Sequence, residues 1–222
     1  MFLQASEPAA GPWRVEPIDD IARLLRNASG NPTGRPAIVA VDGRGGSGKS
    51  TFANLLHAAV AQSAVVHTDD VAWHESFFGW APLLADGVLA PLRAGEAVEF
   101  RPPAWAARRR PGGIAVPAGL ELLIVEGVGA AQRELMPLID AVVWVQSDYR
   151  EAERRGIARD IEQGVNGDPA ESAAFWHEWM AEELPFLDRE RPWERAVLVA
   201  AGTAVLAHGD GEVVVANGPL GR

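Results

Sequence analysis

The chain has 222 residues, which suits one medium-sized domain or a domain with a small insert. Its 30 acidic and 20 basic residues give a formal net charge of -10, and this balance argues against a nucleic-acid backbone as the main partner. Cysteine is absent, which excludes disulfides, thiol nucleophiles and thiolate metal sites and fits a reducing compartment, so we expect a cytoplasmic protein.

Residues 1–36 are predicted to be a lead-in that contains one short helix. Residues 1–17 hold three prolines and few periodic apolar positions, so we interpret them as irregular. Residues 18–28 place four apolar side chains on one helical face: Ile18, Ile21, Leu24 and Leu25. No signal-peptide pattern precedes them, and no apolar run reaches the ~18 residues of a membrane span, so we expect no membrane partner.

From residue 37 onward, the pattern alternates between strands and helices. Five short apolar runs read as strands, at residues 37–41, 64–68, 120–127, 141–146 and 195–200. Helical spacing lies between and after them, at residues 49–62, 130–137, 148–163 and 170–184. This alternation predicts an α/β fold with a parallel five-stranded sheet and helices on both faces, formed by a single domain over residues 37–222.

Two regions depart from the alternation. Residues 95–117 combine two short strand patterns with a segment rich in proline and arginine, and we interpret them as a small inserted β flap over the site. Residues 203–216 resemble a C-terminal β-hairpin that turns at His-Gly-Asp-Gly.

The segment between the first strand and the following helix matches the pattern G-x-x-x-x-G-K-[ST], with Gly43, Gly48, Lys49 and Ser50 at the fixed positions. Glycines let backbone N–H groups point inward around a phosphate chain, and the helix N-terminus adds partial positive charge. We therefore predict a P-loop NTPase fold that binds ATP or GTP through eight residues: Gly43, Gly45, Gly46, Ser47, Gly48, Lys49, Ser50 and Thr51. Lys49 would reach the β- and γ-phosphates, and Ser50 would ligate Mg²⁺.

Acidic residues follow two of the predicted strands. Asp69 and Asp70 end the second strand beside the phosphate loop, where a carboxylate can orient an acceptor hydroxyl and take its proton. Asp69 is the first candidate for the base and Asp70 the second, and the alternative for either residue is a helix cap. Glu126 ends another strand, where it would hold a water of the magnesium shell or be a plain turn carboxylate.

The helix at residues 148–163 carries several arginines, of which Arg155 and Arg159 are spaced four residues apart. A closing helical lid could bring both guanidinium groups to the transferring phosphoryl, where they would act as catalytic residues beside Lys49. The alternative is a solvated helix face whose arginines pair with Glu151 and Glu162.

Four segments together resemble the uridine kinase branch of P-loop nucleoside kinases, particularly the uridine-kinase-like proteins of actinobacteria: VDGRGGSGKST, VVHTDD, LLIVEGVGA and RRGIARD. The resemblance covers residues 37 to about 200. It implies that Asp69 is the acid next to the acceptor hydroxyl, that Glu126 is the family's strand-end glutamate, and that Arg155 and Arg159 are its lid arginines. The activity it implies is phosphorylation of the 5'-hydroxyl of uridine or cytidine by ATP or GTP with Mg²⁺.

The acceptor region departs from that family. After its first acid the family usually has an aromatic pair, whereas here only Trp73 follows the acids, and the flap carries Arg101 and Trp105 without an acidic residue. A base could stack on Trp73 or Trp105, and Arg101 or Arg108 could hold a phosphate if the acceptor is a nucleotide. Asp69 and Asp70 complete the predicted acceptor site. Either tryptophan could equally be a packing residue.

Three classes of function remain open: a kinase of a nucleoside, nucleoside monophosphate or other small metabolite; a GTPase-like switch; and a non-catalytic nucleotide-binding protein. The chain lacks an N-K-x-D guanine motif, which disfavours the switch. Phe175, Trp176 and Trp179 fall at helical spacing, and we interpret them as packing residues. The histidines are scattered without metal-ligand spacing, and a homo-oligomer is an open alternative to a monomer.

Overall fold

The five predicted strands form the parallel centre of one sheet in the computed structural model, which describes residues 1–4, 6–164 and 166–221. They are β2 (Ala37–Gly43), β3 (Ser63–His67), β6 (Leu122–Glu126), β7 (Ala141–Gln146) and β8 (Leu198–Ala201). The pairs β2 with β6, β2 with β7, β3 with β6 and β7 with β8 are all parallel. The prediction of an α/β fold with a mainly parallel sheet is therefore confirmed.

The sheet has seven strands rather than the predicted five, because two antiparallel strands extend it beyond β8. β1 (Arg14–Pro17) lies in the segment interpreted as irregular, and β9 is Glu212–Asn217. β9 pairs with β8 on one side and with β1 on the other, which gives the order β1-β9-β8-β7-β2-β6-β3. Since both edges of β9 are occupied, residues 203–211 form the loop from β8 to β9 and not one arm of the hairpin predicted at residues 203–216.

Apolar layers cover both faces of the sheet. On one face, α1 (Ile18–Ala28) and α2 (Lys49–Ala59) pack together over β2, β6 and β7, with Leu25, Phe52 and Leu56 in their core. On the other face, α4 (Ala81–Leu84) continues through a π-helical segment (Ala85–Leu89) into α5 (Ala90–Arg93). This covering of both faces explains why the central strands are apolar on both sides.

Three further helices surround the carboxyl edge of the sheet. α3 (Thr68–Ala72) follows β3 directly, and α7 (Tyr149–Gln163) and α8 (Pro169–Glu190) form a helical pair after β7. Asp148 caps α7, and Asp168 caps α8 in a reciprocal arrangement with Glu171, so both helices begin at defined residues. The helix predicted at residues 130–137 is only one 3-10 turn (Arg133–Leu135), since Pro137 follows within two residues.

The segment predicted as a flap contains two short strands. β4 (Val98–Phe100) pairs antiparallel with β5 (Ile114–Val116), and α6 (Pro103–Ala107) lies between them. Within the described ranges, no helix is both long and apolar enough to cross a membrane.

Candidate functional site

The phosphate loop connects β2 to α2, and two of its glycines have backbone conformations that other residues rarely adopt. Gly46 has φ +69° and Gly48 has φ +97°, both in the left-handed region. A side chain at Gly46 would also overlap the backbone carbonyl of Ala152 on α7. The loop therefore needs glycine both for its own turn and for the close approach of α7.

The start of α2 is left available for an anion. Gly48 precedes the helix, none of the described side chains caps it, and its first turn contains no acidic residue. Lys49 is only 7% exposed, and its Nζ donates to the backbone carbonyl of Arg44 at 2.8 Å within the same loop. Free helix amides beside a buried lysine form the usual environment for a phosphate group.

Glu126 lies at the end of β6 and contacts two residues that flank the phosphate loop. Ser50 Oγ donates to Glu126 Oε1 at 3.2 Å, and His67 Nδ1 lies 2.6 Å from Glu126 Oε2. Burial opposes ionisation of Glu126, but His67 and Lys49 outweigh it and hold the pKa of Glu126 below its ordinary value. The bond to Glu126 raises the pKa of His67. A hydroxyl and a carboxylate this close are oxygen donors that Mg²⁺ prefers, so these residues fit the ion.

The sequence did not predict the contact of His67 with Glu126, because the scattered histidines were considered only as metal ligands. The signal in the sequence was only that His67 and Glu126 each lie at the end of a predicted apolar strand, and the parallel pairing of β3 with β6 then places the two residues opposite each other. The two residues end neighbouring strands, and side chains that end neighbouring parallel strands meet at one edge of the sheet.

Asp69 lies on α3 in a cavity of about 260 Å³ next to the phosphate loop. The loop contributes Gly45, Lys49 and Ser50 to this cavity, and Glu126 lies in its wall. Asp69 is exposed, so its carboxylate is accessible to a molecule in the cavity. The structure thus brings together the predicted base, the predicted metal-site residues and the loop lysine.

The other wall of this cavity comes from α8 and the end of α7. It is formed by three aromatic residues and one charged pair: Phe175, Trp176, Trp179, Arg159 and Asp160. Trp176 is buried, as expected for a packing residue, whereas Phe175 is 40% exposed. The aromatic residues interpreted as packing therefore also line the cavity that holds Asp69.

The remaining residues predicted for the acceptor gather around Arg110. Arg110 Nη2 pairs with Asp70 Oδ1 at 2.6 Å, and its guanidinium carbon lies 3.5 Å from the ring centre of Trp105 and 5.1 Å from that of Trp73. Trp105 is 5% exposed and donates from Nε1 to the carbonyl of Asp70, and Arg101 donates to the carbonyl of Arg110. This cluster joins the flap to α3, and none of these residues lines the cavity of Asp69.

The two predicted lid arginines face different cavities. Arg159 lies in the cavity of Asp69 and pairs with Asp160 at 2.9 Å. Arg155 pairs with Glu151, donates to the carbonyl of Gly202 at 2.6 Å, and lines a second cavity of about 390 Å³. The helix brings both arginines to the phosphate loop but not to one point, because Arg155 is held by the loop after β8.

The second cavity borders the phosphate loop at Gly48 and Thr51. Gly48 and Thr51 form one side of it, and the segments at residues 200–204 and 212–214 form the other. The phosphate loop therefore separates two cavities, one bordered by Gly48 and the other by Gly45, Lys49 and Ser50.

Asp42 precedes the phosphate loop and ties it to the loop after β6. Its fully buried carboxylate accepts hydrogen bonds from the backbone N–H groups of Gly43, Gly129 and Ala131, at 2.7, 3.0 and 2.9 Å. Burial is the largest influence and raises the pKa of Asp42 from 3.8 to about 6, although these N–H groups and Lys49 oppose the rise.

The raised pKa of Asp42 predicts a pH-dependent stability. A carboxyl whose pKa is higher in the folded chain stabilises the fold at low pH, and this contribution is lost as the pH rises through the folded value. One pKa unit corresponds to about 1.4 kcal/mol, so we expect the unfolding free energy of wild type to fall by about 3 kcal/mol relative to Asp42→Asn between about pH 3 and pH 7. Urea unfolding of both proteins checks this, and parallel pH profiles would contradict it.

No family model matches the sequence, and no curated protein matches it. Solved structures do match in fold. A candidate fructose transport system kinase from Silicibacter sp. TM1040 aligns with a TM-score of 0.53 at 19% identity, over 82% of this chain and 96% of the other. A candidate uridine kinase from Bacillus stearothermophilus aligns with a TM-score of 0.50 at 18% identity, over 82% and 96%.

A third structure, the YGR205w protein, aligns with a TM-score of 0.55 at 11% identity, over 84% of this chain and 93% of the other. At these identities the alignments establish the architecture of the chain. The protein therefore has the P-loop NTPase fold, and its resemblance to uridine-kinase-like proteins is confirmed at the level of that fold.

Proposed function

We propose that the protein is a kinase that transfers the γ-phosphoryl group of ATP or GTP to a hydroxyl of a small molecule, with a uridine- or cytidine-like nucleoside as the acceptor. One observation carries the proposal: a single cavity contains an accessible carboxylate, Asp69, together with the phosphate-loop residues Lys49 and Ser50 and the strand-end residue Glu126. A second cavity beyond Gly48 leaves room for the nucleoside part of the donor.

The donor would be held mainly by the phosphate loop. Backbone N–H groups at the start of α2 would bind the phosphate chain, and Lys49 would neutralise its outer phosphates. Arg155 lies in the second cavity and would contact the nucleoside end of the donor or its first phosphate. Arg159 lies in the cavity of Asp69 and would approach the transferring group.

The chemical step needs a base on the acceptor side. The acceptor oxygen would form a bond to the γ-phosphorus while the bond from that phosphorus to the β–γ bridging oxygen breaks, and the nucleoside diphosphate leaves. Asp69 would orient the hydroxyl and accept its proton. Ser50 and Glu126 would hold Mg²⁺, directly or through water, and the ion supplies neutralisation of charge on the phosphate oxygens.

The charges around the acceptor cavity favour an uncharged acceptor. Among the described residues, Arg159 is paired with Asp160, and Arg110 of the flap is paired with Asp70 and stacked on Trp105. Both arginines therefore already have a carboxylate partner, and an acceptor phosphate would have to displace it. The aromatic wall of α8 instead offers ring faces for a base or a sugar. These observations support a nucleoside over a nucleoside monophosphate.

The aromatic wall leads to a prediction about acceptor affinity. We expect Phe175→Ala to raise the KM for the acceptor by about 10-fold, because stacking of a base on an aromatic ring is worth about 1–3 kcal/mol. The KM for ATP should stay unchanged. Ile161→Ala is the matched control, because Ile161 is exposed to 39% against 40% for Phe175 and lies outside the cavity lining. Equal effects of both substitutions would contradict the assignment.

The function is tested by measuring ADP and GDP formation with a panel of nucleosides, nucleoside monophosphates and sugars. Stimulation by uridine or cytidine supports both the kinase activity and the proposed acceptor. Stimulation by another class of molecule supports the kinase activity but shows that the acceptor is not a nucleoside of this kind. Tight ATP binding without stimulation by any acceptor would overturn the kinase in favour of a nucleotide-binding protein. GTP hydrolysis without any acceptor would favour a switch.

A further inference from the structure

A buried carboxylate on α8 contacts the phosphate loop and the acceptor cavity at once. Glu183 has no solvent exposure, and its Oε1 and Oε2 lie 3.0 and 3.1 Å from the backbone nitrogen of Gly45, which donates to them. Glu183 Oε2 also accepts a hydrogen bond from Trp179 Nε1. Gly45 belongs to the phosphate loop, and both Gly45 and the indole of Trp179 line the cavity that holds Asp69.

A side chain at Gly45 would crowd the contact between α8 and the loop. A Cβ atom at this position would lie 3.2 Å from Glu183 Oε2 and 3.3 Å from the ring of Trp176, which is tighter than ordinary contact. The glycine allows a carboxylate and an indole ring from a distant helix to pack directly on the loop backbone.

The charges around Glu183 make this contact sensitive to a second anion. Burial raises the pKa of Glu183, and the positive charges of Lys49 and Arg44 oppose the rise. Lys49 is also the residue proposed to bind the donor phosphates. A triphosphate on the loop would therefore compete with Glu183 for the same positive charge and would place new negative charge near a buried carboxylate.

We propose that Glu183 is a positioning residue that couples nucleotide binding at the phosphate loop to the shape of the acceptor cavity, through its shared hydrogen bonds with Gly45 and Trp179. The coupling rests on the proposed function, since it assumes that the loop binds a nucleoside triphosphate. Phosphates at the loop alter the hydrogen bond between Gly45 and Glu183, the carboxylate adjusts, and the indole of Trp179 moves with it. The acceptor then meets a cavity wall whose arrangement depends on the donor.

The indole N–H resonance of Trp179 tests this coupling without any acceptor. It is assigned in a ¹⁵N-labelled protein by its loss in Trp179→Phe, and a non-hydrolysable ATP analogue with Mg²⁺ is then added. We expect the resonance to shift in wild type and the shift to be lost in Glu183→Gln, which keeps the size of the side chain but removes its charge. Glu182→Gln is the matched control, since Glu182 is the adjacent glutamate on α8 and is exposed.

Calorimetry on the same samples separates the ways in which the experiment can fail. If the analogue binds and the Trp179 resonance stays in place, or shifts equally in Glu183→Gln, the coupling is overturned while the phosphate-loop assignment stands. If the analogue does not bind wild type, the proposed function itself fails and the coupling fails with it.

A second variant keeps the test valid if the first does not fold, and a second measurement tests the coupling independently. If Glu183→Gln does not fold, Glu183→Asp keeps the charge but is too short to hold both partners, and it should also lose the shift. Once an acceptor is identified, its dissociation constant should change with the analogue in wild type, within the range of about 5- to 150-fold that is typical of coupled sites, and should not change in the variant. A change of the same size in both proteins would overturn the coupling.

Discussion

Asp69→Asn is expected to lower kcat by about 10²- to 10⁴-fold, the usual contribution of a positioned acid or base, while ATP binding stays within a few-fold of wild type. The amide of asparagine keeps the size of the side chain but cannot accept the proton of the acceptor hydroxyl. Because Asp69 lies on α3 and is not part of the phosphate loop, the donor should still bind. Steady-state kinetics measure the loss of kcat, and calorimetry with an ATP analogue measures the binding of the donor.

Asp70→Asn is the matched control for Asp69→Asn. Asp70 is the adjacent acid on α3, but its carboxylate pairs with Arg110 and lies outside the cavity lining. We expect its loss to weaken the attachment of the flap and to leave most of kcat intact. A larger loss of kcat in Asp70→Asn than in Asp69→Asn would show that Asp70, and not Asp69, is the base.

Lys49→Met should have the second large effect, a loss of about 10²- to 10³-fold in kcat, comparable with removal of one group that stabilises charge in a transition state. Lys49 is buried beside the proposed phosphate site, and its loss also removes a positive charge that acts on Glu126, Asp42 and Glu183. Lys49→Arg keeps the charge and therefore separates the loss of catalysis from a loss of folding. Kinetics of both variants, with thermal melts to establish that they fold, make this comparison.

The sequence offers an independent check on the same residue. Lys49 is the only lysine among the 222 residues, so acetylation of a lysine side chain reports on this position alone. We expect Mg·ATP to protect Lys49 from acetylation, as measured by mass spectrometry of the peptide that contains it. Acetylation at the same rate with and without the nucleotide would contradict its contact with the phosphates.

The parts of the fold that depend on local patterns were predictable from the sequence. The central strands are continuous apolar runs, and the phosphate loop is a short contiguous motif, so neither needs long-range information. Asp69 and Glu126 could be placed because residues that end parallel strands meet at one edge of the sheet. Local patterns do not state which strand pairs with which, and for that reason the pairing of β1 and β8 with β9 was missed.

The parts of the candidate site that depend on packing between distant segments were not predictable. Trp179 and Phe175 show helical spacing that does not distinguish a packed face from a cavity wall. Arg155 and Arg159 share one helix face, but the carbonyl of Gly202, 47 residues further on, holds only Arg155. Arg110 lies 40 residues from Asp70 in the sequence but pairs with it and stacks on Trp105. These flap residues contact one another and do not line the cavity.

A crystal structure with a non-hydrolysable ATP analogue and Mg²⁺ tests the central claim most directly. We expect the phosphate chain to lie on the backbone of residues 43–51, with the γ-phosphate beside Lys49 in the cavity of Asp69. The Asp69 carboxylate should face the γ-phosphate across a gap that admits one hydroxyl group. A nucleotide bound elsewhere, or a γ-phosphate that points away from Asp69 with no room for an acceptor between them, would contradict the assignment of this protein as a kinase.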